Sequence, residues 1–213
     1  MNITTTEIKG PKKWSTLDIP DRPHMEYEGI DLFIKKMIDA KVFLEYGSGG
    51  STMFAAYQGA SIIYSVESDK NFLDAVTERV AELENFHPEF YPVHADIGPT
   101  GDWGSPTDKA MAVRWPNYCI KPWEQIVKDG NSPDVILIDG RFRVASFLAS
   151  LMFAKEGAII LFDDYVDRQN YHVVQEFIMP VSVSGRMAEF VVPSVVRTEQ
   201  LIMSLVKYST HAE

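Results

Sequence analysis

The sequence has a single cysteine, Cys119, among 213 residues. No internal disulfide can form, and with no histidine in a motif-like relation to it Cys119 reads as a packing residue. Basic residues are also scarce. Twenty Lys and Arg stand against 30 Asp and Glu, a net charge of −10. Such a chain repels a phosphate backbone, and no local basic patch offsets the average field, so no nucleic-acid partner is expected. No apolar run reaches the roughly 18 residues of a membrane span, and the opening MNITTTEIKGPKKW lacks the apolar core of a signal peptide. Neither a membrane partner nor export is expected, and the reducing cytoplasm is the expected location. Internal repeats and low-complexity tracts are missing too.

What is present suits one globular domain over 1–213, with 46% hydrophobic and 23% charged residues. Residues 1–26 mix Thr, Lys, Pro and Asp without apolar periodicity and read as an irregular arm. A helix is expected over 27–38, with Ile30, Phe33, Ile34 and Met37 on one face. Strands are expected at 41–46, 61–67, 90–95, 134–139 and 158–163. Helices are expected near 51–58, 71–83, 118–127, 142–154 and 170–178. Short apolar strands rich in Val and Ile, alternating with helices, require a sheet covered on both faces. Two further strand-like runs, 189–196 and 200–208, are expected to pair antiparallel at the sheet's far side. The expected fold is therefore α/β, a doubly wound, mostly parallel seven-stranded sheet with an antiparallel C-terminal pair. A long connection, 96–116, holds Gly, Pro, Trp103 and Trp115, and loops of that length are commonly functional lids.

The strand 41–46 runs into VFLEYGSGGST, where Gly47, Ser48, Gly49 and Gly50 form a turn and Ser51 is placed to cap the next helix. Three glycines in four positions at a strand's carboxyl end point to close approach by a ligand, the alternative being a bare strand-to-helix turn. A dinucleotide fingerprint needs a third glycine where Thr52 stands, which disfavours a nucleotide-dependent oxidoreductase. Glu67 ends the second strand 20 positions after Gly47 (67 − 47), placed to accept ribose hydroxyls, and Asp96 follows the third.

Glu45 with the glycines, Glu67 in SVESD and Asp96 in HAD together resemble the cofactor motifs of class I S-adenosylmethionine-dependent methyltransferases. The resemblance spans about 27–208. It implies Glu45 by the cofactor's amino end, Gly47 to Ser51 against its methionine part, Glu67 on the ribose and Asp96 near the adenine amine. Acids match a ligand that carries a sulfonium and an ammonium. Asp139 in LIDGRFR and Asp163 and Asp164 in LFDDY look like the metal-binding acids of metal-dependent O-methyltransferases, of the catechol and macrolide-sugar types. That resemblance implies a hard cation such as Mg²⁺ on Asp139, Asp163 and Asp164, which lowers the pKa of an acceptor hydroxyl. The catalytic Lys of the catechol type is missing, because Phe142 holds its position. Asp139, His94 and His172 are the candidate bases. The competing reading pairs the three aspartates with Arg141, Arg143 or Arg168 as strand-end ion pairs. Arg141, beside Asp139, is also a candidate clamp for a substrate carboxylate or phosphate. The expected function is methyl transfer to a hydroxyl of a small-molecule acceptor. A metal-independent methyltransferase and a non-catalytic S-adenosylmethionine-binding module stand as alternatives, and a homo-oligomer is compatible with the sequence.

Overall fold

The computed structural model describes residues 13–195 and 197–212; residues 1–12 of the expected arm and Val196 of the expected strand 189–196 lie outside them. Five strands, β1 (Val42–Tyr46), β2 (Ile62–Glu67), β3 (Glu89–His94), β4 (Val135–Ile138) and β5 (Ile159–Phe162), lie parallel. With β6 (Ser182–Ser184) and β7 (Met187–Val191) they form one sheet in the order β3-β2-β1-β4-β5-β7-β6. The chain winds outward from β1 to β3, returns to β4, and winds the other way. The winding direction therefore switches between β1 and β4, where open parallel sheets bind ligands beyond their carboxyl ends.

Side chains alternate between two apolar layers, as a period of two dictates. Along β4, Val135 and Leu137 face α1 (Tyr27–Met37), α2 (Gly50–Tyr57) and α3 (Lys70–Ala81), while Ile136 and Ile138 face α4 (Asn117–Asp129) and α5 (Arg143–Phe153). Trp123, Phe147 and Phe162 fill the second layer. The Asp69 carboxylate caps α3 by accepting from the Asn71 and Phe72 amides at 2.9 and 3.1 Å.

Three expected elements differ. The run 200–208 is not a strand but part of α6 (Thr198–Tyr208): Leu201 and Leu205 recur at helical spacing and pack into the layer that holds α5. The antiparallel pair is instead the β6–β7 hairpin, turned at Gly185 with φ of 57°. Residues Gln169–Glu176 form a 3-10 helix, whose two buried residues, Tyr171 and Val174, are three apart. The connection 96–116 is ordered by two short 3-10 helices, Asp102–Gly104 and Lys109–Arg114, and a Thr100–Pro106 bridge. The arm is fastened as well. Ile19 is in the first apolar layer, Trp14 meets the Phe72 ring edge-on, and Asp21 pairs with Arg79 at 2.8 Å.

Candidate active site at the carboxyl ends of the strands

Gly47 and Gly140 follow β1 and β4 and let the two backbones touch. A Cβ on Gly47 would lie 2.8 Å from Gly140 Cα, and one on Gly140 would lie 2.0 Å from Tyr118 Oη. Gly47 and Gly49 hold φ of 99° and 146°, which L side chains rarely adopt. Gly50 is required for a different reason: a Cβ there would meet the Arg22 carbonyl oxygen at 1.9 Å, because the arm crosses the turn at that point. Ser51 is not the cap. The helix begins at Gly50 after Gly49, and the Gly49 amide donates to Thr52 Oγ1 at 3.0 Å.

The Ser51 hydroxyl instead donates to Glu45 at 2.5 Å. Thr52 and Ser65 donate to the same carboxylate, Ser65 at 2.6 Å, and Ser48 lies 2.6 Å from Ser65. Glu45 is thus fully buried on the sheet face that α2 covers, beneath the turn, with its acceptors engaged by hydroxyls. Burial pushes its carboxyl up to about 7, against the opposing hydrogen bonds. Thr52, which breaks the dinucleotide pattern, is one of the three hydroxyls that hold this acid.

Glu67 is buried at the end of β2. Its Oε1 accepts from the Ser68 and Asp69 amides at 2.6 and 2.9 Å and from Ser68 Oγ at 3.0 Å, which leaves Oε2 without a partner among the described residues. Burial raises its pKa. The long connection covers it: Ser68 Oγ, whose one proton is shared with Glu67 Oε1, also lies 3.0 Å from the Gly104 carbonyl oxygen, and a Cβ on Gly104 would lie 3.0 Å from Glu67 Oε1. Trp103, in the left-handed region at φ 57°, stands 80% exposed beside the His24 ring, whereas Trp115 is buried against Phe142 and anchors the loop. Asp96 is exposed, pairs with Arg114 at 2.8 Å and accepts from the Gly98 amide at 3.0 Å, so here it orders the loop's start.

Asp139, Asp163 and Asp164 converge, with one oxygen from each within 4.8 Å of the others. Three arginines share the space. Arg143, 3% exposed, pairs with Asp139 at 3.0 Å and Asp164 at 3.2 Å, and donates to the carbonyls of Gly140 at 3.0 Å and Asp163 at 2.7 Å. Arg168 pairs with Asp164 at 2.9 Å. Arg186, on the β6–β7 hairpin, pairs with Asp163 at 3.1 Å and Asp164 at 2.9 Å, and also holds the His24 carbonyl at 3.2 Å. Three carboxylates thus face three guanidiniums. A divalent cation at these aspartates would compete with ion pairs that are already formed and would have to displace an arginine. Sequence reasoning missed Arg186; a lone arginine in a hairpin turn carries no motif.

Of the candidate bases, Asp139 alone stands at this strand end. Burial and its aspartate neighbours push it up to about 7, with Arg143 opposing. His94 meets the Ser68 carbonyl at 3.3 Å and His172 the Tyr165 carbonyl at 3.0 Å, both in packing positions. Phe142, where the catechol-type lysine would stand, is buried against Tyr118. Arg141 donates its amide to Tyr118 Oη at 3.2 Å and extends toward Ser105 Oγ, 3.5 Å from Nη1. The ion pairs of the competing reading form with Arg143 and Arg168; none forms with Arg141 among the described residues.

No protein-family model matches the chain, and no curated protein matches it. Among solved structures, a methyltransferase-like protein from Silicibacter pomeroyi DSS-3 is 35% identical, covers 89% of this chain and 98% of its own, and superposes with a TM-score of 0.79. An O-methyltransferase from Bacillus cereus in complex with SAH is 16% identical over 90% of this chain and 72% of its own, at a TM-score of 0.49. A T. thermophilus 16S rRNA N2 G1207 methyltransferase, in complex with AdoMet and guanosine, is 11% identical over 79% and 41%, at 0.47. The last two are too remote to carry an argument about the acceptor, and the comparisons do not support the expected exclusion of nucleic acid.

Proposed function

The chain belongs to the class I S-adenosylmethionine-dependent methyltransferase superfamily, and on that premise we propose that it methylates an oxygen of a small-molecule acceptor, with Asp139 as the base. The bound cofactor supplies an electrophilic methyl group on a sulfonium. Glu67 would offer Oε2, which has no partner among the described residues, to the ribose hydroxyls, and the turn of Gly47, Ser48 and Gly49 would admit the cofactor's methionine part close to the backbone. Glu45 and Ser51 support that turn from beneath, and the Asp96–Arg114 pair positions the loop beside the adenine end.

One observation carries the choice of base: Asp139 stands at the end of β4, one residue before the Gly47–Gly140 contact, and there burial pushes its carboxyl up to about 7. A base with a pKa near the working pH is ionised often enough to act and basic enough to take a proton. Asp139 would take the acceptor's O–H proton as that oxygen gained the methyl group, and the cofactor would keep the displaced sulfur as a neutral thioether. Arg143 and Arg186 hold the aspartates, and no metal step is required. The acceptor is taken to be a small molecule because a net charge of −10 disfavours a polyphosphate chain.

Thermal melting tests the binding half: S-adenosylhomocysteine raises the melting temperature and NAD does not. Release of S-adenosylhomocysteine with a panel of small hydroxyl compounds tests the other half. Asp139→Asn should lower that rate by about 10²-fold or more while leaving S-adenosylhomocysteine affinity within a few-fold. Unchanged turnover in this variant would remove Asp139 from the chemistry.

A further inference from the structure

Four arginines stand around the ends of β4 and β5, and three of them are consumed. Arg143, Arg168 and Arg186 each pair with at least one of Asp139, Asp163 and Asp164. Arg141 differs. It has no ion pair among the described residues, its Nε is buried without a hydrogen-bond partner, and its one side-chain hydrogen bond is the 3.5 Å contact to Ser105. A guanidinium carries five donors in a fixed fork, and a half-buried one without a counter-ion is costly to keep. Its backbone cannot drift, because Gly140 on one side is pinned to Gly47 and Tyr118, and the Arg141 amide holds Tyr118 Oη.

The Arg141 side chain bridges the two halves of the site. It starts two residues after Asp139 and ends at Ser105, beside the Gly104 turn that covers Glu67 and Ser68. We infer that Arg141 is an anion receptor, whose fork takes a carboxylate in the space between the ends of β4 and β2. The fork matches the two oxygens of a carboxylate, and the pairing gives a counter-ion to the one arginine of the four that has none among the described residues. Such a carboxylate has two sources, the amino-acid end of the cofactor and an acidic acceptor. Only the choice between them rests on the methyl-transfer reading.

Calorimetric titration of wild type, Arg141→Gln and Arg141→Lys separates the sources. The side chain makes one 3.5 Å hydrogen bond and no ion pair among the described residues, so Arg141→Gln should fold, and an unchanged melting temperature checks this. If the cofactor supplies the carboxylate, Arg141→Gln loses 10-fold or more in affinity for S-adenosylhomocysteine. It keeps its affinity for methylthioadenosine, which lacks the amino-acid end. If the acceptor supplies it, both nucleosides bind as before. Benzoate and malonate then bind to the S-adenosylhomocysteine-loaded wild type, and Arg141→Gln loses them. In either case Arg141→Lys is intermediate, keeping the charge without the fork. Equal binding of all these ligands by wild type and Arg141→Gln, or no binding of the small carboxylates alongside unaltered nucleoside affinity, overturns the inference. If neither nucleoside binds wild type, the methyl-transfer reading fails by itself. Binding of malonate and benzoate to the unloaded proteins then decides Arg141.

Discussion

Glu45 and Asp139 are acids held near neutrality inside a strongly negative chain, and this has a readable cost. Each gains protons on folding, since its pKa rises to about 7 from 4.5 and 3.8 respectively. Their contribution to stability is therefore full below about pH 4, declines as pH rises toward 7, and is flat beyond. Glu45→Gln should flatten this decline by on the order of 2 kcal/mol. Denaturant unfolding at pH 5 and pH 8 measures it, and an unaltered difference between the two pH values would place the proton elsewhere. Gly140→Ala should cost about 3 kcal/mol or more, since its Cβ would collide with Tyr118 Oη and the Gly47 amide. Glu45, the glycines, Glu67 and the three aspartates were all visible in the sequence because each stands at the end of an apolar run. Their partners were not. That Ser51 and Thr52 turn down onto Glu45, and that Gly50 serves the Arg22 carbonyl, depends on which face α2 covers and where the arm crosses.

Among the elements, the β6–β7 hairpin reaches furthest beyond its size. Its turn, after a three-residue edge strand, brings Arg186 onto Asp163 and Asp164. Asp163 is 1% exposed and Arg186 is its one ion-pair partner among the described residues, so Arg186→Gln leaves a buried carboxylate without a counter-ion and should cost about 3 kcal/mol. The same substitution upsets the balance of three charges against three. Wild type should melt at the same temperature with and without millimolar Mg²⁺, while Arg186→Gln should gain stability from it. Stabilisation of wild type by Mg²⁺ would restore the trio as a metal site. The hairpin was misplaced in the sequence because SVS and MAEFV are short and weakly patterned. Meanwhile LIMSLV is rich enough in Leu, Ile and Val to imitate a strand, although Leu201 and Leu205 already stand four apart.

At the scale of the molecule, the winding order was legible because five near-continuous apolar strands alternate with amphipathic stretches, a pattern that only a sheet covered on both faces satisfies. The covering of the site was not, since it comes from irregular segments without periodicity. The arm lies over Gly50, and the Gly104 turn lies over Glu67. S-adenosylhomocysteine should therefore slow amide exchange in 19–25 and 102–105 more than in β6, and hydrogen-exchange mass spectrometry reads this directly. Uniform protection would separate these segments from the ligand. The grip of Arg186 on the His24 carbonyl joins residues 162 apart in the chain, and its partner Asp163 precedes it by 23. A ribosome adding about 5–20 residues per second delivers that arginine roughly one to five seconds after the aspartate. During translation the nascent chain thus passes through a period in which adjacent carboxylates repel each other and the arm has no fastening at His24.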